Sequence, residues 1–292
     1  MGMKKVVILG SLGMLGQELT RIFSLDEQYT VLAWDKADID ITDFALFAER
    51  LSSVRPDIVI NAAAYNAVDL CEESEEEYAK ALLLNRDVPG FLAKESMRLG
   101  FLLIHYSTDY VFDGAVEKVG YNEEALPHPL SRYGLSKFEG EQAVREKAKE
   151  YFIIRLSKLF GKPASAEGAK QSFFEKMLEA GRAKPEVVAV DGEKSCFTYA
   201  PDLAVATKEL IESKEAYGTY HLMNEGAVTW YEGARELYLQ AGLQTEIKPV
   251  GSGTFLRAAK RPPFSVLLNT KRPKLRPYTE ALKEYLYAIN KG

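Results

Sequence analysis

A glycine-rich loop directly follows the first apolar segment of the chain, and it restricts the fold more than any other feature of the sequence. The segment KVVILG, from Lys5 to Gly10, is apolar without interruption and rich in β-branched residues, as expected for a parallel strand buried on both faces. In GSLGMLG, Gly10 allows a tight turn, Gly13 lets the backbone approach a pyrophosphate, and Gly16 permits close helix-to-strand packing. The N-terminus of the following helix would offer free N–H groups to the anion. The loop therefore predicts a dinucleotide-binding unit.

The sequence after this loop alternates between strand patterns and helical patterns. Strands are predicted at YTVLAWD, DIVINAAA, FLLIHYST and YFIIRLS, with helical segments between them. This alternation predicts an α/β fold with a Rossmann-like, doubly wound parallel sheet and right-handed crossovers. Beyond Ser157 the pattern weakens. We expect a dinucleotide-binding domain at 1–160 and a smaller α/β C-terminal substrate-binding region at 161–292, which returns a strand near 218–223 to the main sheet.

Composition and charge exclude several classes of protein. The 292 residues carry a net charge of −5, and no cluster of Lys and Arg with interleaved aromatic residues suggests a nucleic-acid partner. No apolar run approaches the roughly 20 residues needed to span a bilayer, and the start KKVVILG does not resemble a signal peptide. The two cysteines, Cys71 and Cys196, lie in unrelated contexts and indicate neither a disulfide framework nor a zinc site. We therefore expect a cytoplasmic protein without a membrane partner.

The end of the second predicted strand bears on the choice of cofactor. Asp35 comes 19 residues after Gly16, where a carboxylate can accept hydrogen bonds from the adenosine ribose and would repel a 2′-phosphate. NAD(H) is therefore favoured, and Lys36, a cation beside Asp35, keeps NADP(H) as the alternative. Asp40 could lie near the adenine, although a helix cap at Thr42 or Asp43 is also expected nearby. The full predicted cofactor set is Gly10, Ser11, Gly13, Met14, Leu15, Gly16, Asp35, Lys36, Asp40, Ile41, Ala62, Ala63, Ala64, Tyr65, Tyr133 and Lys137.

Three side chains suggest a site for reducing a carbonyl or oxidising an alcohol. Tyr133 and Lys137 are four residues apart on a helical pattern, so they share one face. The ammonium of Lys137 would favour the Tyr133 phenolate and lower the tyrosine pKa, and it could also bind the nicotinamide ribose. Thr108, at the end of the fourth predicted strand, could stabilise charge that develops on the substrate oxygen. We predict Thr108, Tyr133 and Lys137 to be catalytic.

The order of several motifs resembles that of the dTDP-4-dehydrorhamnose reductases, members of the extended short-chain dehydrogenase/reductase superfamily. These motifs are GSLGMLG, DITD, RPDIVINAAAYNAVD, HYSTDYVFDG, YGLSK, RLSKLFG, TYAPDLA, YHLMNEG, TWYE and RPPFS. The resemblance implies NAD(P)H-dependent reduction of the 4-keto group of dTDP-4-dehydro-L-rhamnose to dTDP-L-rhamnose, for cell-surface polysaccharide. It implies that Tyr133 is the proton donor, that Lys137 supports it, and that Thr108 binds the sugar.

The sequence departs from this family in the segments expected to hold the substrate. Lys158 stands where the family usually has tryptophan, and Phe197 where it usually has proline. Another nucleotide-linked 4-keto sugar therefore remains an alternative substrate. A noncatalytic NAD(P)-binding subunit, similar to the β subunit of methionine adenosyltransferase, is the second function class. The predicted substrate-binding residues are Ser107, Thr108, Asp109, Lys158 and Arg261, of which Arg261 is expected to bind the diphosphate or only to solvate the surface.

Metal binding and assembly are less constrained by the sequence. Some members of the family hold Mg²⁺ at a dimer interface through carboxylates, and Glu18 matches one such position, whereas the other position is Pro201. We therefore predict no metal and expect Glu18 to be a solvated helix residue. The sequence leaves open whether the protein forms a homodimer, because assembly depends on the complementarity of surfaces.

Overall fold

The computed structural model describes residues 2–115, 119–166 and 168–290. Its first half alternates between strands and helices. In chain order the elements are β1 (Lys4–Leu9), α1 (Met14–Ser24), β2 (Tyr29–Trp34), α2 (Phe44–Val54), β3 (Ile58–Asn61), α3 (Leu70–Glu73), α4 (Glu75–Leu82), a π-helical turn (Leu83–Asp87), α5 (Val88–Leu99), β4 (Leu102–Thr108), a 3₁₀ turn (Asp109–Val111), α6 (Arg132–Lys147) and β5 (Tyr151–Leu156).

The second half has shorter strands. Its elements are β6 (Leu159–Phe160), α7 (Phe173–Ala183), β7 (Glu186–Val190), β8 (Lys194–Cys196), β9 (Thr198–Tyr199), α8 (Ala200–Glu212), β10 (Gly218–His221), β11 (Asn224–Glu225), β12 (Ala227–Thr229), α9 (Trp230–Ala241), β13 (Glu246–Val250), a 3₁₀ turn (Ser252–Thr254), β14 (Leu275–Pro277) and α10 (Tyr278–Asn290).

Six parallel strands form the main sheet, in the order β2-β1-β3-β4-β5-β10. The chain leaves β1 toward one edge and then returns to build β3 and the following strands on the other side. This reversal opens a crevice at the carboxyl ends of β1 and β3, where open α/β sheets bind their ligands. The predicted doubly wound α/β fold is confirmed.

Both faces of the sheet are covered by helices, which explains the uninterrupted apolar pattern of β1. Val6 and Ile8 pack with α1 and α8, whereas Val7 and Leu9 pack with α2, α5 and α6, and all four side chains are fully buried. Burial on both faces removes the need for alternating polar residues. The glycine loop is therefore held between two packed layers.

The C-terminal half contributes both to this sheet and to a core of its own. Helices α7, α9 and α10 pack together through side chains such as Phe174, Leu237 and Leu282. By contrast, β10 extends the main sheet and α8 packs on the α1 face. The division at residue 160 stays a prediction.

Candidate active site

The glycine loop leaves the N-terminus of α1 open. Gly10 has φ of +73°, and the Gly13 N–H donates to the Gly10 carbonyl at 3.0 Å, which closes the turn. A Cβ on Gly16 would lie 2.0 Å from the Gly10 oxygen, so only glycine fits there. Among the residues that the structure describes, no side chain caps α1, and no acidic residue lies in its first turn. These free N–H groups suit an anion such as a pyrophosphate.

The carboxylate of Asp35 lies beside this loop. It accepts a hydrogen bond from the Leu12 N–H at 3.0 Å, and its other oxygen accepts one from the Lys36 N–H at 2.8 Å. Asp40 instead accepts bonds from the backbone and hydroxyl of Thr42, at 2.9 and 2.6 Å. Asp35 is thus the carboxylate that contacts the glycine loop, while Asp40 stabilises its own turn.

An asparagine that the sequence analysis did not single out ties the loop after β3 to α6. Strand β3 ends at Asn61, so the predicted alanines begin this loop. Asn85 lies in the π-helical turn, where it accepts a bond from the Tyr65 N–H and donates to the Tyr65 carbonyl, both at 2.9 Å. It also donates to the Ser136 hydroxyl at 3.0 Å. The sequence signal for this role is an asparagine directly after the apolar run LLL, and the structure buries its side chain fully.

Helix α6 carries Tyr133 and Lys137 into the site and is packed tightly on both sides. Its N-cap is Ser131, whose hydroxyl accepts a bond from the Gly134 N–H at 3.1 Å. A Cβ on Gly134 would lie 2.3 Å from the Tyr110 oxygen, and one on Gly140 would lie 2.0 Å from the Asn85 oxygen. The two glycines therefore fix the position of the helix that presents the predicted proton donor.

Burial controls the protonation of both predicted catalytic groups on α6. It raises the pKa of Tyr133 well above the usual range, although a hydrogen bond with Thr108 opposes this. It also lowers the pKa of Lys137 to about 8, opposed by the charge of Glu141. The Lys137 ammonium donates to the Tyr106 carbonyl at 2.6 Å. The expected lowering of the Tyr133 pKa by Lys137 is therefore absent here, since burial dominates, and Tyr133 is protonated at neutral pH.

The predicted sugar side of the site contains a buried carboxylate. Asp109 accepts bonds from the Ser265 hydroxyl at 2.6 Å and from the Thr108 hydroxyl at 3.2 Å. Burial raises the pKa of Asp109 to about 6, opposed by the Ser265 bond. The Ser107 side chain is buried, and the residue lines the site.

The two departures from the family pattern contact each other. Lys158 has φ of +38°, and its ammonium donates to the Val228 carbonyl at 3.1 Å. The same ammonium lies 4.2 Å from the ring centre of Trp230 and 5.1 Å from that of Phe197. Lys158 and Phe197 therefore belong to one cation–π cluster at the wall of the site.

Arg261 forms an ion pair instead of pointing into the open space. It donates through both terminal nitrogens to the two oxygens of Asp69, each at 2.6 Å. This bond lowers the pKa of Asp69 to about 2. Asp69 itself faces the site. The segment that carries Arg261 is thus fastened to the loop after β3, and its predicted diphosphate contact remains a prediction.

These elements surround a cavity of about 1190 Å³ that lies at the carboxyl ends of the strands. Of the predicted site residues, Ser11 and Arg261 are outside its lining: the Ser11 N–H instead donates to the Trp34 carbonyl at 3.2 Å, and its side chain is buried. The predicted residues that do line the cavity are Gly10, Gly13, Met14, Leu15, Gly16, Asp35, Lys36, Asp40, Ile41, Ala62, Ala63, Ala64, Tyr65, Ser107, Thr108, Asp109, Tyr133, Lys137 and Lys158.

Glu18 does not behave as expected. Its side chain is buried, and it accepts a bond from Arg21 Nε at 2.8 Å. The expectation of a solvated residue was wrong, because α8 packs on α1. Across residues 2–115, 119–166 and 168–290, no three His, Cys, Asp or Glu side chains gather as metal ligands would. Nor does any helix in these ranges have the length and apolarity needed to cross a membrane.

Comparisons with known proteins identify the family of the chain. The chain matches the family described as RmlD substrate binding domain over residues 3–290. It is 36% identical over 288 residues to the spore coat polysaccharide biosynthesis protein SpsK of Bacillus subtilis (strain 168), covering 97% of each chain. It is 31% identical over 280 residues to a dTDP-4-dehydrorhamnose reductase of Aggregatibacter actinomycetemcomitans, covering 92% of each.

A solved structure has the same fold. The crystal structure of dTDP-4-dehydrorhamnose reductase (rfbD) from Bacillus anthracis str. Ames in complex with NADP matches with a TM-score of 0.90 and 32% identity, covering 98% of this chain and 99% of that chain. The resemblance inferred from the motifs is therefore confirmed, and the chain belongs to the dTDP-4-dehydrorhamnose reductase family of oxidoreductases.

Proposed function

We propose that the protein reduces the 4-keto group of dTDP-4-dehydro-L-rhamnose to give dTDP-L-rhamnose, with NAD(P)H as cofactor. The observation that carries this proposal is that Thr108, Tyr133 and Lys137 line the same cavity as the glycine loop. Relatives named dTDP-4-dehydrorhamnose reductase, one of them in complex with NADP, support the substrate and the nicotinamide cofactor.

The residues present fit an extended dinucleotide. The uncapped N-terminus of α1 would bind the pyrophosphate, and Asp35 would bind the adenosine ribose. Gly10 approaches the loop after β3 so closely that a Cβ on it would lie 2.9 Å from the Ala63 nitrogen. The small side chains of this loop leave space for the flat cofactor above the strand ends.

When bound, the reduced cofactor supplies a hydride for the carbonyl carbon of the sugar. Tyr133 donates its phenolic proton to the carbonyl oxygen, which completes the alcohol. Because burial raises the pKa of Tyr133, the proton is in place at neutral pH before the reaction. Lys137 would bind the nicotinamide ribose and so hold the cofactor beside Tyr133, and the Thr108 hydroxyl would donate a hydrogen bond to the substrate oxygen.

The choice between cofactors rests on one carboxylate. NAD(H) is favoured because Asp35 would repel the 2′-phosphate of NADP(H). Replacing Asp35 by Asn keeps an acceptor for the Leu12 N–H and removes the charge. We expect the ratio of kcat/KM for NADPH over that for NADH to rise about tenfold.

The control for this measurement is Asp40→Asn. This variant removes a carboxylate charge in the same region, but from a group that already accepts hydrogen bonds from Thr42. The ratio should change little in this variant. An unchanged ratio in Asp35→Asn would mean that Asp35 does not select the cofactor.

The experiment that tests the function follows absorbance at 340 nm with NADH or NADPH and enzymatically prepared dTDP-4-dehydro-L-rhamnose. Turnover with this sugar is the expected result. Turnover only with a related 4-keto sugar would identify the alternative substrate that Lys158 and Phe197 suggest. If NADH binds but no such sugar is reduced, the reductase proposal fails, and a noncatalytic NAD(P)-binding subunit becomes the better explanation.

A further inference from the structure

A carboxylate that the proposed mechanism does not use lies directly behind Lys137. Glu141 follows Lys137 by four residues on α6, so both side chains share one face of the helix. Glu141 is fully buried, and only 3% of Lys137 is exposed. The interior therefore contains the Lys137 ammonium, which could act in catalysis, and the Glu141 carboxylate one helical turn away.

Two arginines hold the Glu141 carboxylate. Arg155 on β5 donates to it through Nε at 2.8 Å and through a terminal nitrogen at 2.7 Å. Arg145 adds a bond of 2.7 Å from the more exposed side. Arg155 is itself fixed, because it lies over the Phe112 ring and donates toward His221 Nε2 at 3.4 Å. The carboxylate can therefore neither rotate away nor reach solvent.

Stability alone is a weak reason for such a buried pair. Removing two charges from water is costly, and well-packed apolar residues often serve as well. A buried ammonium, however, loses its proton unless an anion compensates for the lost hydration. Burial lowers the pKa of Lys137, and Glu141 is the charge that opposes this shift.

We propose that Glu141 is a positioning residue that keeps the Lys137 ammonium charged inside the protein, and that Arg155 fixes the Glu141 carboxylate in place while partly neutralising it. The inference deepens the proposed function and rests on it, because a charged Lys137 matters for catalysis only if Tyr133 acts as the proton donor. Glu141 acts through Lys137 and does not contact the cavity.

Several other groups surround Lys137, and none of them replaces this carboxylate. His105 on β4 is buried, and burial and the charge of Lys137 lower its pKa well below the usual range, so it is neutral. Its Nδ1 lies 3.3 Å from Asn61 Nδ2. Of all the charges around Lys137, that of Glu141 is the one that raises its pKa. Other ionisable groups on the surrounding elements include Tyr133 and Arg145 on α6, His105 and Tyr106 on β4, Asp109 and Tyr110 on the 3₁₀ turn, Arg155 on β5 and His221 on β10.

The test compares two variants that remove opposite charges. Without the carboxylate, in Glu141→Gln, the pKa of Lys137 should fall by roughly one pH unit, and the loss of kcat at high pH should begin correspondingly earlier. Without the arginine, in Arg155→Gln, the carboxylate is less neutralised and stays bonded to Arg145, so the pKa of Lys137 should rise. A purely structural role would lower stability in both variants without moving the pKa in opposite directions.

The pKa of Lys137 is measured without substrate, from the pH dependence of its ¹³Cε shift in protein labelled with [¹³C]lysine, assigned with Lys137→Met. The control is Glu139→Gln, on the same helix but directed toward Arg86, 3.7 Å away. It should leave the Lys137 pKa unchanged. If Glu141→Gln does not fold, the double variant Glu141→Gln/Arg155→Gln removes both charges, and a smaller decrease of the pKa is expected.

A Lys137 pKa that is the same in wild type and in the Glu141 variants, or that moves in the same direction in both single variants, would overturn the inference. The NMR titration also separates this result from the proposed function. Opposite pKa shifts in a protein that reduces no 4-keto sugar would support the coupling and reject the reductase. Turnover of the 4-keto sugar without these pKa shifts would support the reductase and reject the coupling between Glu141 and Lys137.

Discussion

Replacing Tyr133 by phenylalanine is expected to lower kcat about 10³-fold, since a positioned general acid contributes about 10² to 10⁴ in rate. The ring keeps its edge-to-face contact with Tyr110, whose centre is 6.1 Å away, so the packing of the site should survive. The dissociation constant for NADH should change less than about threefold, because the variant removes only the phenolic hydroxyl and keeps the ring that lines the site. Initial rates at 340 nm and fluorescence titration with NADH measure the two quantities.

A matched tyrosine distinguishes lost chemistry from general damage. The Tyr220 hydroxyl donates to the Ala216 carbonyl at 2.6 Å on the edge strand β10, outside the residues that line the cavity. Tyr220→Phe should keep kcat within about twofold of wild type while losing about 1 kcal/mol of stability. If Tyr133→Phe kept more than a tenth of the wild-type kcat, the proton would have to come from another group.

The second large effect is expected for Gly16→Ala. The added methyl group would meet the Gly10 carbonyl carbon at 2.8 Å as well as its oxygen at 2.0 Å, and neither backbone atom can move without opening the loop. We expect a loss of more than about 3 kcal/mol of unfolding free energy, or failure to fold, because relief of this overlap must separate α1 from β1. Any folded protein should bind NADH at least about 100-fold more weakly.

Gly13→Ala provides the comparison within the same loop. A Cβ there would lie 3.2 Å from the Gly10 oxygen, and the residue has φ of −69°, which alanine adopts readily. Urea unfolding should therefore show a loss of less than about 1 kcal/mol for this variant. Equal stability in the two variants would contradict the assignment of Gly16 to the close contact between helix and strand.

The local features of the site could be read from the sequence because each depends on short spacing. The interval of four residues between Tyr133 and Lys137 fixes a shared helix face. Thr108 and Asp35 each follow an apolar run, and parallel strands bring their carboxyl ends to one edge of the sheet. The glycine spacing after β1 needs only the strand and helix on either side of it.

Other features depended on the packing of distant segments. Asp69 and Arg261 are 192 residues apart, and nothing near either residue indicates the other. Glu18 is buried only because α8, nearly two hundred residues later, covers α1. The raised pKa of Tyr133 likewise comes from burial, which the spacing of YGLSK does not reveal.

The sequence by itself thus determined the doubly wound fold, the glycine loop and the helix face that Tyr133 and Lys137 share, since hydrophobic periodicity and helix geometry are local. Only the tertiary structure decided which charges are buried and what neutralises them. Arg155 meets Glu141 because β5 packs beneath α6, and Lys158 meets Phe197 and Trp230 because segments far apart in the sequence converge at the wall of the cavity. The physical reason is that the cost of burying a charge depends on every group that packs around it, and those groups come from the whole chain.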